Sequence, residues 1–233
     1  MRAIISGGTK GIGLAIAEQL AGEGYDLALC SRQMHDLLKT QKRLQQIRPD
    51  AEILIHETNV RNKQEIKTFV DFVRSKWDRI DVLINNAGIF ISGKITEEEE
   101  GTLEEMIETN LYGVYYMTRA VLPAMLPARR GHIINMASIA SIMAYPNGGS
   151  YSISKFGLLG FSKVLREELK PTGIKVTALL PGATWSDSWA GSDLPYERLI
   201  ETRDIAKIVS SILSLSDSAD IEELIVRPQL GDL

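Results

Sequence analysis

Residues Ser6-Gly7-Gly8-Thr9-Lys10-Gly11-Ile12-Gly13 decide how this chain is read. A short apolar run at 3–6 leads into them, and Ile12, Ala15, Ile16 and Leu20 follow at helical spacing. A strand that turns through glycines into a helix brings bare backbone and free helix N–H groups to one point. Glycine tolerates the tight turn and the close approach of a ligand, and the helix N-terminus favours phosphate. A glycine turn alone says little. Placed between the first strand and the first helix, it reads as the pyrophosphate cradle of a dinucleotide.

Outward from this turn, apolar runs recur at 27–30, 52–56, 81–84, 132–136, 175–180 and 223–226. Amphipathic stretches separate them; Ile66, Phe69, Val70 and Val73 form one such face. Nearly all-apolar strands alternating with helices predict a parallel sheet covered on both faces. Right-handed crossovers make this a doubly wound, Rossmann-like α/β fold, with its ligand at the carboxyl ends of the strands. At 233 residues, with 44% hydrophobic and 24% charged, a single domain over 1–233 is expected.

A formal net charge of −4 without a basic block predicts no nucleic-acid partner. No apolar run approaches the roughly 18 residues of a membrane span, so no membrane partner is expected. The single cysteine, Cys30, precludes an internal disulfide, and three scattered histidines predict no metal site. The expected location is cytoplasmic.

Two stretches break the alternation. The acidic block at 97–100 reads as a solvated helix entry favoured by the helix dipole. Thr102 and Glu105 would then form a capping box for a long helix running toward Met125. Residues 183–199, with Trp185, Trp189, Pro195 and Tyr196, show no period and read as a substrate lid.

The glycine spacing is G-x-x-x-G-x-G at Gly7, Gly11 and Gly13. Asn85-Asn86-Ala87-Gly88 follows the fourth strand-like run, and Asn110 lies in Thr109-Asn110-Leu111-Tyr112-Gly113. Ser138 follows the fifth run, Tyr151-Ser152-Ile153-Ser154-Lys155 begins 13 residues later, and Pro181-Gly182 ends the sixth. From residue 2 to about 182, this order resembles the short-chain dehydrogenase/reductase family. The resemblance implies catalysis by Asn110, Ser138, Tyr151 and Lys155. It implies a nicotinamide dinucleotide on Ser6, Gly7, Thr9, Lys10, Gly11, Ile12 and Gly13, then Ser31, Arg32, Asn59, Val60, Asn86, Ala87 and Gly88. Tyr151, Lys155, Pro181, Gly182, Thr184 and Ser186 complete that set. Substrate contacts are expected from Ser138, Ala140, Tyr145, Trp185 and Trp189.

The chemistry also follows from the residues. Tyr151 and Lys155 are four apart and share a helix face. A free tyrosine, with a pKa near 10, is a poor base at neutral pH. A nearby ammonium and an oxidised nicotinamide are expected to lower that value. Tyr151 would then take the alcohol proton as hydride leaves, or return it in carbonyl reduction, with Ser138 bonded to the substrate oxygen. The resemblance further implies that Lys155 holds the nicotinamide ribose and that Asn110 maintains a water-linked proton path to it.

Cofactor choice rests on the end of the second strand. Ser31 stands where an acid would bind the adenosine ribose hydroxyls, and Arg32 follows it. With Lys10 as a second cation, the expected cofactor is NADP(H). Departures from the family pattern are Ser6 for threonine, Asn59-Val60 for Asp-Val, Ser186 for threonine, and a C-terminal tail that puts the usual tetramer contacts in doubt.

The segment 139–150 has no lysine or arginine, and Arg198 is the only cation between Gly182 and Leu199. With Met143 and the lid aromatics, this suits a hydrophobic ketone, aldehyde or alcohol. One alternative is a 3-oxoacyl-carrier-protein reductase, with Arg129-Arg130 meeting an acidic carrier, although Thr172 replaces a second basic residue of that subgroup. Another, from a different class, is a non-catalytic NADP(H)-binding sensor or scaffold. The resemblance implies pairing through the helices at 102–125 and 151–170, where Tyr112, Tyr115, Tyr116, Phe156 and Leu159 would serve a partner contact or a monomer core equally well; a homodimer is expected, with a tetramer as the larger alternative.

Overall fold

The computed structural model describes residues 1–186 and 194–231. Seven parallel strands form one sheet: β1 (Arg2–Ser6), β2 (Asp26–Ser31), β3 (Ile53–Glu57), β4 (Val82–Asn85), β5 (Gly131–Met136), β6 (Ile174–Pro181) and β7 (Glu223–Val226). Their order is β3-β2-β1-β4-β5-β6-β7, so the order reverses between β1 and β4. All seven runs read from the sequence are strands, each within two residues of its expected bounds.

Alternation along the strands divides the core. Ala3 and Ile5 face one layer with α1 (Gly11–Gly22), α2 (Met34–Ile47) and α7 (Thr202–Leu213). Ile4, between them, faces the other, with α3 (Lys63–Lys76), α5 (Gly113–Met125) and α6 (Gly149–Leu169). Leu27 and Leu29 against Ala28 and Cys30 repeat the pattern on β2. The predicted helix faces are buried through Ile16 and Leu20 on α1 and Ile66, Phe69, Val70 and Val73 on α3. Burying each such aliphatic or aromatic side chain contributes about 1.5–3 kcal/mol, which is why both sheet faces are covered.

The long helix toward Met125 departs from expectation. It is three pieces: α4 (Thr102–Ile107), a π-helical turn at Glu108–Tyr112, and α5. Thr102 does not cap it. Gly101 is the N-cap, at φ 90°, and no side-chain cap bond forms. Thr102 is already the first helical residue, too far into the turn for its hydroxyl to meet the free N–H groups that a cap satisfies. The π turn carries Asn110 inward, where it is fully buried.

No described helix is long and apolar enough to cross a membrane.

Candidate active site

The glycine turn sits where the strand order reverses. Gly7, at φ 67°, donates its N–H to the Cys30 carbonyl at 2.9 Å. A Cβ on Gly7 would lie 2.9 Å from the Ala87 Cα. One on Gly13 would overlap the Gly7 carbonyl oxygen and the Asn86 side-chain amide. Glycine is therefore required for the close packing of the turn on α1 and on the segment after β4. Lys10 is the extended N-cap of α1 with no side-chain cap bond, which leaves the helix N–H groups facing the cleft.

The two asparagines at the end of β4, Asn85 in the strand and Asn86 just after it, divide their work by strand alternation. The Asn86 amide donates to the Ser6 and Gly7 carbonyls, at 3.2 and 3.0 Å. Ser6 closes the loop by accepting the N–H groups of Asn86 and Ala87, both at 3.1 Å. Asn85 points the other way, donating to Thr118 and Asn135.

A cleft of about 360 Å³ runs over this turn. Of the expected cofactor residues, Gly7, Thr9, Lys10, Gly11, Ile12, Ser31, Arg32, Asn59, Val60, Asn86, Ala87, Gly88, Tyr151, Lys155, Pro181 and Ser186 line it. Ser6, Gly13, Gly182 and Thr184 do not. The first two hold the turn, while the Gly182 N–H bonds to Val226 and Thr184 bonds back to the Gly182 carbonyl. Asn59 already accepts the Arg61 N–H at 3.1 Å. Among the described lining residues Lys10, Arg32, Arg61 and Lys155 are cationic, and Asp36 is the one carboxylate. That balance suits a polyanion.

The reactive groups gather at the other end of the cleft. α6 carries Tyr151 in its first turn and Lys155 one turn later. Lys155 donates to the Met136 carbonyl at 2.8 Å, and its Nζ lies 5.7 Å from the Tyr151 ring centre. Ser138, at the carboxyl end of β5, starts a 3₁₀ turn and accepts the Ala140 N–H at 3.1 Å. Burial pushes the Tyr151 hydroxyl above its ordinary value, and its hydrogen bond with Ser138 pulls it partly back. Burial lowers Lys155 to about 8. The expected lowering of Tyr151 by Lys155 is thus not the dominant effect in the protein alone, because desolvation opposes the phenolate.

Asn110 is a clamp. Its carbonyl accepts the Ile89 N–H at 2.8 Å, and its amide donates to the Ile89 carbonyl and the Ser154 hydroxyl, both at 3.0 Å. It ties the segment after Gly88 to α6. Ser154 in turn donates to the Tyr151 carbonyl at 2.7 Å.

The expected substrate residues separate. Ala140 is fully buried and its N–H is engaged by Ser138, so it belongs to the scaffold. Tyr145 lines a second, apolar groove with Ile95, Ile153 and Phe156. Trp185 pairs its N–H with the Ile200 carbonyl at the start of the lid. Trp189 and the middle of the lid, 187–193, lie outside the described residues. Cleft residues that the sequence reading missed include Gln33, Asp36, Thr58, Arg61 and Phe90. Phe90 had a signal in its place two residues after Gly88; its ring meets Tyr151 edge-on, with centres 4.9 Å apart. Cys30 also lines the cleft, but burial raises its thiol to about 12, so it stays protonated and inert.

A seven-stranded parallel sheet with a glycine turn at its switch point and Ser138, Tyr151 and Lys155 beyond it defines a class. The chain belongs to the short-chain dehydrogenase family, whose model matches residues 1–194. An uncharacterised oxidoreductase of Staphylococcus saprophyticus is 34% identical over 229 residues, covering 97% of this chain and 96% of its own. The structure is similar to an alcohol dehydrogenase of the archaeon Thermococcus sibiricus complexed with 5-hydroxy-NADP, at TM-score 0.91 and 30% identity, covering 100% of this chain and 98% of that one. It is also similar to a variant of actinorhodin polyketide ketoreductase with NADPH, at TM-score 0.90 and 30% identity, covering 100% and 97%.

Proposed function

We propose that this oxidoreductase uses NADP(H) to interconvert a hydrophobic ketone or aldehyde and the corresponding alcohol. The observation that carries the reading is the grouping of Ser138, Tyr151 and Lys155 at one end of a cleft whose other end is lined by Lys10, Ser31 and Arg32. The residues fit the cofactor: glycine backbone and helix N–H groups for the pyrophosphate, cations and no acid at Ser31 for the 2′-phosphate. When bound, the nicotinamide supplies or accepts the hydride at the carbonyl carbon.

The chain supplies the proton. In reduction Tyr151 donates its hydroxyl proton to the carbonyl oxygen, and Ser138 hydrogen-bonds that oxygen as charge develops. A hydroxyl held protonated by burial suits this direction at neutral pH. In oxidation Tyr151 takes the alcohol proton, and the Lys155 ammonium favours the phenolate. Lys155 would also hold the ribose hydroxyls, and Asn110 would support a water-linked proton path beside it. Exposed Phe90, Ile142 and Met143, on the loops after β4 and β5, favour an apolar substrate.

The alternative is reduction of the 3-keto group of an acyl chain on a carrier protein, and the similarity to a polyketide ketoreductase supports its ketone-reducing part. Against it, Arg129 donates to the Pro171 carbonyl and Arg130 pairs with Asp217, so the two arginines already have partners within the chain. Part of the reading is assembly: a second copy of the chain is the expected partner.

The test is NADPH oxidation with cyclohexanone, acetophenone, 2,3-butanedione and ethyl acetoacetate, repeated with NADH. Tyr151→Phe is expected to cost at least about a hundredfold in kcat while NADPH still binds. Unchanged turnover in that variant would overturn the role of Tyr151 as acid/base; no turnover of any panel member by the wild type would count against the enzymatic reading. Arg32→Asp with Lys10→Ala is expected to weaken NADPH binding at least about tenfold more than NADH binding. Equal weakening of both would refute the cofactor assignment.

A further inference from the structure

α6 begins without a cap of its own. Its N-cap is Gly148, which has no side chain to offer, and its first turn contains no acid. The missing acceptor comes from the acidic block at 97–100, which the sequence alone reads as solvated surface. One oxygen of the Glu98 carboxylate accepts the Ser150 N–H at 2.8 Å, and the other accepts the Ser150 hydroxyl. Ser150 is buried and immediately precedes Tyr151.

The contact is built for close approach. Gly93 donates its N–H to the Asn147 carbonyl at 3.0 Å and forms an isolated parallel bridge with Gly148. A Cβ on Gly93 would lie 2.8 Å from the Glu98 Cγ, and one on Gly149 would overlap the Glu98 carboxylate. Gly149 has a φ of 21° as well, so a side chain there would be strained besides. Two glycines, Gly93 and Gly149, thus leave a space that one carboxylate fills. The same loop starts with Phe90, whose ring meets Tyr151.

We propose that Glu98 is a positioning residue for Tyr151. Phe90 fixes the tyrosine ring, and Glu98 fixes the helical turn that carries it. A first helical turn leaves N–H groups without intrahelical partners and frays readily. The reaction needs the phenol held within hydrogen-bond reach of Ser138 and the substrate oxygen. A remote carboxylate that locks this turn acts on the rate without touching substrate or cofactor. The proposal rests on Tyr151 being the acid/base.

The experiment compares Glu98→Ala, Glu98→Gln and Tyr151→Phe in the full chain. It reads kcat and KM in the carbonyl panel, NADPH affinity by fluorescence, and hydrogen exchange of the peptide 147–156. Glu98→Ala is expected to lower kcat per NADPH-binding site about tenfold or more, with NADPH affinity within about twofold. Exchange at Ser150 to Ser152 rises. Glu98→Gln restores most of the rate, since its carbonyl can accept the Ser150 N–H while its amide donates to the hydroxyl. An unchanged kcat or unchanged exchange in Glu98→Ala overturns the proposal, as does a parallel fall of kcat and NADPH affinity. Exchange is read without substrate, so it decides even where no panel member is turned over. If Glu98→Ala folds poorly, Ser150→Ala removes one of the two bonds. Its kcat is then expected to fall about two- to fivefold at unchanged NADPH affinity, and no fall overturns the proposal. An inactive Tyr151→Phe beside a fully active Glu98→Ala removes only the role of Glu98. A fully active Tyr151→Phe removes the acid/base reading itself.

Discussion

Lys155 shows what burial does to a single residue of this site. It is 6% exposed, has one carbonyl partner at 2.8 Å, and carries a pKa lowered by desolvation from 10.5 to about 8. Between those values the unfolded chain binds more protons than the folded one, so the lysine contributes stability that grows as pH rises. Below pH 8 it is charged in both states and its burial penalty is fully present. Removing the group with Lys155→Met cancels this dependence, while all other titrations stay common to both proteins. From pH 7.5 to 9.5, wild type is expected to gain on Lys155→Met by about 1–2 kcal/mol, measured by urea unfolding at each pH. A difference that stays flat would show that Lys155 keeps an ordinary pKa.

Elements explain which parts of the site could be read in the sequence. Strand and helix faces follow local periods, so Ala3 to Ser6 and Ile66 to Val73 were legible from spacing alone. The glycine turn was legible because a sharp turn needs glycine at a fixed distance from strand and helix. Asn110 was legible as a position but not as a clamp: the π turn that buries it is selected by contacts with Ile89 and Ser154, 21 and 44 residues away. Glu98 was missed for the same reason, since its partner lies 52 residues along the chain. Asn85 carries a further long-range message. With Asn135 and Ser162 it forms a buried hydrogen-bonded row from α5 across β4 and β5 to α6. This row ties the helix bearing Tyr151 to the strand that ends in the cofactor cleft. Each bond contributes only about 1 kcal/mol net, but a lost partner would leave a buried polar group unsatisfied at greater cost. Position on the sheet, rather than any local pattern, makes these polar residues structural.

At the scale of the whole molecule, the outer side of α4, α5 and α6 is the remaining question of packing. Tyr116 and Leu159 pack into the monomer's own core, so two of the five residues expected at a partner contact are accounted for within the chain. Tyr112, Tyr115 and Phe156 are 49%, 37% and 47% exposed, and Leu103, Ile153 and Val164 on the same helices are exposed too. Exposed aromatics on adjacent helices favour an isologous contact, in which each copy presents the same face to the other. A stable contact of this kind buries about 1,200–2,000 Å² in total, an area that two such helix pairs can supply. The homodimer we propose is therefore expected in sedimentation velocity at micromolar concentration. Phe156→Glu places a charge at the centre of the apolar face without touching the monomer's core, and is expected to shift the species to monomer. NADPH affinity should hold within about twofold, since Phe156 does not line the cofactor cleft. A wild-type monomer at that concentration, or a Phe156→Glu dimer as tight as wild type, would place the partner surface elsewhere or remove it.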